Sequence, residues 1–278
     1  MTKYLTVLGK TLLRNNIAGL QLFDIARECG RKKFYVLWSG GGDSGVVTDY
    51  MIKHMAVDGV KAVNTGMHGT GWNEWMQETA YKMGWSLEIL KRKDGKTYED
   101  IILNNRSLRG FPHFGMHMII MKELKLKPLM DYVRDHKDEK VCFVSGVWLE
   151  ESSRRENSMR EYMLPITREG NLWFIAPMWN WTEEQFGQYR KENNIPISPQ
   201  NKEWHIPMDC HCGAFARPEE RGLLSVVDPD QFTRITNLEQ ECSKRGLKYC
   251  RWGNENEAKE QLLPLEYYVC GTDCKRRE

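Results

Sequence analysis

The chain has 278 residues, 41% of them hydrophobic and 28% charged, and a formal net charge of +2 at pH 7. That supports one substantial core and a small second lobe, and the charge is too nearly balanced to call for a polyanionic partner by itself. No stretch approaches the roughly 18 apolar residues of a membrane span, and the opening MTKYLTVLGKTLLRNN lacks the apolar core and cleavage site of a secretory leader, so the expectation is a cytoplasmic protein with no membrane partner.

Residues 3–30 carry apolar positions at helical spacing, Leu5, Leu8, Leu12, Ile17, Leu20, Phe23 and Ile25, and stop at Gly30, which predicts a long leading helix or a helical hairpin. FYVLW follows, a short apolar run of the kind buried on both faces of a parallel sheet. Next come a helical stretch, VVTDYMIKHMAVDG, a second strand, VKAVNTG, another helix, NEWMQETAYKMG, and a third strand, WSLEILKR. VCFVSGVW, residues 141–148, repeats the strand-then-glycine pattern. Strands alternating with helices imply an α/β fold with a parallel sheet, whose ligand loops leave the carboxyl ends of the strands, after residues 38, 63 and 146. Past NNIPISPQNKEWHIP the pattern changes to a cysteine-bearing region with one long helix, PDQFTRITNLEQECSKRG, so we divide the chain into residues 1–200 and a C-terminal helical region, 201–278.

Three glycines at 40–42, between strand and helix, let the backbone turn sharply and aim several N–H groups at one anion, with the helix start adding a favourable dipole. Phosphate is the natural guest. No Gly-Lys-Ser/Thr follows, so the Walker fingerprint does not apply.

The string Ser39-Gly40-Gly41-Gly42-Asp43-Ser44 does resemble the PP-loop, S-G-G-x-D-S, of the ATP pyrophosphatase superfamily, within which the chain is most similar to the phosphoadenosine phosphosulfate reductase-like proteins. The resemblance implies an adenine nucleotide alpha hydrolase-like fold, with ATP and Mg²⁺ as ligands, and hydrogen bonds from Ser39 and Ser44 to phosphate. It gives Asp43 the task of orienting the loop or helping to hold Mg²⁺. Asn64-Thr65-Gly66 stands where the family has D-T-G, which places Thr65 and Gly66 by the nucleotide. GVWLEESSRR resembles the family's G-x-R-x-x-E-S-x-x-R: Gly146, Glu151, Ser152 and Arg155 match, with Arg155 as a catalytic candidate. Trp148 takes the place of an arginine that Arg154 or Arg160 would replace. His113, His117 and Lys122 read either as substrate-side residues or as structural ones.

Six of the eight cysteines fall at or after Cys210, a clustering that in a reducing cytoplasm suggests metal ligands or redox groups rather than disulfides. Cys210 and Cys212 form one close pair, Cys270 and Cys274 another, and two such pairs suit a four-thiolate site. Their spacings of one and three intervening residues favour an iron–sulfur cluster, [4Fe–4S], over zinc or no metal at all. The run C-x-C-G-A-F-A with a terminal pair also resembles a phage and archaeal branch of the family. Cys242 and Cys250 are substitute ligands or packing residues, and Cys29 and Cys142 read as packing.

Three functions follow from the resemblance. The first is adenylation of a nucleic acid for sulfur insertion, as in the sulfur-inserting component of DNA phosphorothioation systems, with a cysteine desulfurase as sulfur donor and local basic clusters contacting the backbone. The second is sulfonucleotide reduction, whose nucleophile-bearing E-C-G-L-H tail is replaced here by CGTDCKRRE. The third is a non-catalytic nucleotide-binding module.

Overall fold

The computed structural model describes residues 4–7, 10–13, 19–149, 166–169 and 171–253. Packing divides the chain into two compact units, one of Met1–Ala62, Thr79–Glu88 and Met130–Pro196, the other of Val63–Glu78, Ile89–Leu129 and Ile197–Glu278.

The first unit opens with a correction. Residues predicted as a leading helix form two strands, β1 (Tyr4–Val7) and β2 (Lys10–Leu13), paired antiparallel with Tyr4 opposite Leu13. Among the described residues of this segment only α1 (Gln21–Glu28) is helical, burying Leu22, Phe23 and Ala26. The leucine spacing that suggested a helix coexists with the β-branched Thr6, Val7 and Thr11, whose side chains are restricted in a helix and suit a pleated strand.

The main sheet has six strands: β3 (Lys33–Leu37), β4 (Gly59–Val63), β5 (Leu87–Leu90), β6 (Val141–Val144), β7 (Ile166–Glu169) and β8 (Leu172–Ile175). Their spatial order is β5-β4-β3-β6-β8-β7, in which β4, β3, β6 and β8 run parallel and β7 closes the edge antiparallel to β8. The central strands are the most apolar: β6 is buried along its whole length and β3 across its three middle residues, as expected for strands covered on both faces. After β3 the chain moves outward to β4 and β5 and then returns to place β6 on the other side of β3, with Val36 opposite Val144. The strand order therefore reverses at β3, and such a switch point opens a crevice at the carboxyl ends of β3 and β6.

Helix α2 (Gly42–His54) follows β3 and buries Val46, Val47 and Met51 in a core shared with Phe34, Val36 and Val144. At roughly 1.5–3 kcal/mol for each fully buried large aliphatic or aromatic side chain, this core fixes where α2 begins. Helix α7 (Glu183–Glu192) is started by Thr182, whose hydroxyl accepts from the Gln185 N–H while the Gln185 side chain accepts from the Thr182 N–H, a reciprocal cap. Phe186, 1% exposed, anchors α7 in the core, and Tyr189 donates to Asp49 Oδ2 of α2 at 2.9 Å. Residues 186, 189 and 190 share one helical face, so the side chain after Tyr189 is also carried toward α2.

The second unit contains α3 (Trp72–Met83) up to Glu78, α4 (Tyr98–Asn104), α5 (His117–Ile120), which runs on through a π-helical stretch at Met121–Leu126 into α6 (Lys127–Asp135) as far as Leu129, then α8 (Pro199–Trp204), α9 (Pro218–Val227) and the predicted long helix, α10 (Pro229–Lys244). Its core gathers Tyr98, Ile102, Phe111, Phe215 and Ile235 with three buried cysteines. Among the described residues no helix is long and apolar enough to cross a membrane.

Candidate functional site

The glycine loop lies at the switch point, between the end of β3 and the start of α2. Gly40, Gly42 and Gly45 are each constrained in a different way. Gly40 has φ +95°, a conformation that side chains disfavour. A methyl group on Gly42 would meet the Arg190 Cζ at 3.0 Å, and one on Gly45 would meet Ile195 Cγ2 at 2.8 Å. Gly41 is the residue before the helix, and no side chain caps it there. The first-turn N–H groups of α2 are thus uncapped by any side chain of that residue, in the orientation that binds anions.

The two serines brace the loop from its ends. Ser44 Oγ accepts from the Ser39 N–H at 3.3 Å, donates to the Gly41 carbonyl at 3.0 Å and lies 3.1 Å from Ser39 Oγ. Ser39 Oγ in turn accepts from the Gly41 N–H at 3.3 Å. Hydroxyls rotate freely, so both can turn to an incoming oxygen without moving the backbone.

Asp43 is 5% exposed and held on both sides. Its Oδ1 is paired with the Arg190 guanidinium, and its Oδ2 accepts from Trp148 Nε1 at 3.0 Å. Trp148 itself is 2% exposed and packs on Phe186, with ring centroids 4.8 Å apart. Gly146 completes the contact between the two loops, since a methyl there would lie 3.1 Å from Ser44 Cα. The motif after β6 therefore packs directly on the motif after β3.

Of the residues expected from sequence, Ser39, Gly40, Gly41, Gly42, Asp43, Ser44 and Gly146 come together in the first unit. Glu151, Ser152 and Arg155, with Arg154 and Arg160, lie outside the described residues. Arg190 was missed: it sits in QYRKENN, far from any motif, where it reads as one more charge on a solvated helix face. Trp148 was noticed only as a departure, whereas its indole N–H is what holds Asp43.

Thr65 and Gly66 belong to the second unit, in a loop of its own. Asn64 Oδ1 accepts from the Gly66 N–H at 2.8 Å in a local turn, and its Nδ2 donates to Asn73 Oδ1 at 3.2 Å, a bond that an ionised aspartate could not make. The Thr65 N–H donates to His68 Nε2 at 2.9 Å, His68 stacks on Trp72 at 3.6 Å, and burial pushes the His68 pKa down to about 3, aided by Lys125, so this imidazole is neutral. Arg234 of α10 donates to the Gly66 carbonyl and pairs with Glu99, both at 2.5 Å. His113 and His117 pack beside Tyr249 and Phe215.

Cys210, Cys212 and Cys242 are buried in the core of the second unit, with Cys250 packed against it. A hydrogen bond from Cys212 draws the Cys210 thiol below its ordinary range in spite of burial. Cys270 and Cys274 lie outside the described residues, and among the described residues no group of three or more His, Cys, Asp or Glu side chains is placed to hold a metal ion.

No curated protein sequence matches the chain. Among solved structures it is similar to a phosphoadenylyl-sulfate reductase from Candida auris in complex with phosphate, at 17% identity and TM-score 0.48, covering 69% of this chain and 91% of that one. It is also similar to an FMN adenylyltransferase from Candida glabrata in complex with FAD and inorganic pyrophosphate, at 12% identity and TM-score 0.38, covering 59% of this chain and 50% of that one. The model of the phosphoadenosine phosphosulfate reductase domain matches residues 33–202, more than half of the 278, and this span runs from β3 through the glycine loop and Gly146 to Arg190 and beyond. The loop at the switch point lies within this span, and the chain belongs to the phosphoadenosine phosphosulfate reductase domain family.

Proposed function

We propose that the loop at 39–44 binds the phosphates of ATP and that the protein is an ATP pyrophosphatase-type enzyme which adenylates an oxygen of a nucleic acid for sulfur insertion. One observation carries the reading: the N-terminus of α2, uncapped by Gly41, stands at the switch point with the loop after β6 packed on it. In this reading the substrate oxygen attacks the α-phosphorus, pyrophosphate leaves, and a sulfur nucleophile then displaces AMP. The main-chain N–H groups and the two serine hydroxyls hold the leaving phosphates, which is positioning and charge stabilisation rather than covalent chemistry. Ser44 is proposed as a phosphate donor, Arg155 as a further cation beside the transferred group, and Thr65 and Gly66 as nucleotide contacts.

Asp43 acts as the anchor of the loop. Each of its oxygens already accepts an N–H, so it is not proposed as a direct magnesium ligand. Magnesium would ride on phosphate oxygens and water, the ligands it prefers. Cys210 and Cys212, with Cys270 and Cys274, are proposed as ligands of a [4Fe–4S] cluster, with zinc as the alternative. Support comes from the pair spacing and from the burial of the first pair in one apolar core. Four protein thiolates would leave no ligand position for a transferable sulfur, so we assign the sulfur to a persulfide from a cysteine desulfurase in a reducing cytoplasm: its terminal sulfur displaces AMP, and a second thiol then cleaves the S–S bond left behind, forming a disulfide with the donor cysteine. Iron, sulfide and zinc analysis of anaerobically purified protein, with Cys210→Ala beside it, tests the metal.

The family also favours a second reading, sulfonucleotide reduction. Incubation with ATP and Mg²⁺, with and without DNA or RNA, distinguishes the two. Pyrophosphate release stimulated by nucleic acid supports the first, whereas thioredoxin-driven sulfite release from a sulfonucleotide and none from ATP assays supports the second. Nucleotide binding with neither product would leave a non-catalytic module.

A further inference from the structure

We infer that Arg190 is a phosphate-binding residue of the glycine loop, and that Asp43 holds its guanidinium in place for that task. The inference rests on the reading that the loop takes polyphosphate. Arg190 comes from the last turn of α7, 147 residues beyond Asp43. Its side chain is 13% exposed, one terminal nitrogen is paired with Asp43 Oδ1, and three guanidinium atoms would lie 3.0–3.2 Å from a methyl on Gly42. Nε is buried and has no hydrogen-bond partner among the described residues. An arginine placed only to neutralise Asp43 would be expected to use its fork on the carboxylate, whose Oδ2 takes the Trp148 indole N–H instead. Among the described residues, Nε is thus left for another acceptor.

The charge arrangement points the same way. Asp43 lies in the first turn of α2, and an unpaired carboxylate there would repel phosphate from the helix N-terminus. Pairing with Arg190 cancels that charge. A guanidinium presents its donors in a rigid fork that matches phosphate oxygens, so one side chain cancels the local negative charge and supplies donors to the ligand.

Calorimetric titration of the full chain with ATP, ADP, AMP and inorganic pyrophosphate tests this. In Arg190→Gln, ATP and pyrophosphate affinity should fall roughly 10- to 100-fold, the loss of one charge-assisted hydrogen-bonding group, and AMP affinity should fall least. Arg190→Lys, which keeps the charge without the fork, should fall between Arg190→Gln and the wild type. The double variant Asp43→Asn/Arg190→Gln has no unpaired charge and guards against a folding defect; it should stay as weak as Arg190→Gln. If the double variant binds pyrophosphate like the wild type, Arg190 serves only to neutralise Asp43 and the inference is overturned. Equal ATP affinity in wild type and Arg190→Gln overturns it also, and leaves the nucleotide reading standing. If the wild type binds pyrophosphate through Arg190 but binds no adenine nucleotide, the nucleotide reading fails and the arginine keeps its role.

Discussion

Replacing Asp43 by alanine is the obvious way to silence the loop, and the structure says what else it does. Arg190 would keep its charge at 13% exposure with no carboxylate beside it, and Trp148 Nε1 would lose its acceptor at 2% exposure. Breaking a buried ion pair by removing one partner costs about 3–5 kcal/mol, and an orphaned buried donor adds about 1–3 kcal/mol. Against a typical total of roughly 5–15 kcal/mol, Asp43→Ala should be marginally folded, so its inactivity alone says little about catalysis. Asp43→Ala/Arg190→Met removes the stranded charge and should regain much of the loss. Urea unfolding of the wild type, both single variants and the double variant gives the coupling energy directly. A value of about 2–3 kcal/mol is expected; a coupling below about 0.5 kcal/mol, the level of an exposed pair, would refute the claim that Asp43 and Arg190 form a buried unit.

Gly146→Ala places a methyl 3.1 Å from Ser44 Cα; overpacking of this kind costs about 1–3 kcal/mol, and nucleotide affinity should fall with stability because the displaced atom belongs to the loop. Calorimetric ATP titration and thermal unfolding read both, and a variant unchanged in both measurements would show that the loops are not in contact. Gly187→Ala is the control: nothing lies within 4 Å of the added methyl, inside α7, so it should stabilise by about 0.5–1 kcal/mol with ligand affinity unchanged. His68 has a folded pKa pushed down to about 3 against an ordinary value near 6.5, so the unfolded chain takes up a proton first. Stability should therefore fall as pH drops below about 6.5, by up to about 1.4 kcal/mol per pH unit through this group. Denaturant unfolding between pH 7 and 5 should show a shallower slope in His68→Gln, and identical slopes would contradict a buried neutral imidazole.

The parallel sheet, α2 and the glycine turn between β3 and α2 could be anticipated because they are local patterns: apolar runs, glycines and helical spacing. Residues 4–13 defeated the same reasoning, since leucines three and four apart also occur in a hairpin and periodicity over so few residues does not separate the two. Asn64 stands where the family has an aspartate, and the structure shows its side-chain oxygen closing a turn on the Gly66 N–H. Arg190 and Trp148 were beyond local pattern altogether. What gives them meaning is the reversal of strand order at β3 and the capped start of α7, and these are properties of the assembled sheet and of the Thr182 and Gln185 side chains rather than of any motif.

The partners of Asp43 stand 105 and 147 residues downstream of it, on Trp148 and Arg190. Contacts so remote in sequence are slow to form, and during synthesis the glycine turn leaves the ribosome long before either clasp exists. A growing chain thus has the segment proposed to grip phosphate, but not its supports, until α7 has been made. Cellular nucleotide cannot meet a finished cradle on a half-made polypeptide, and any fragment cut short before residue 190 should show no protection by ATP against proteolysis.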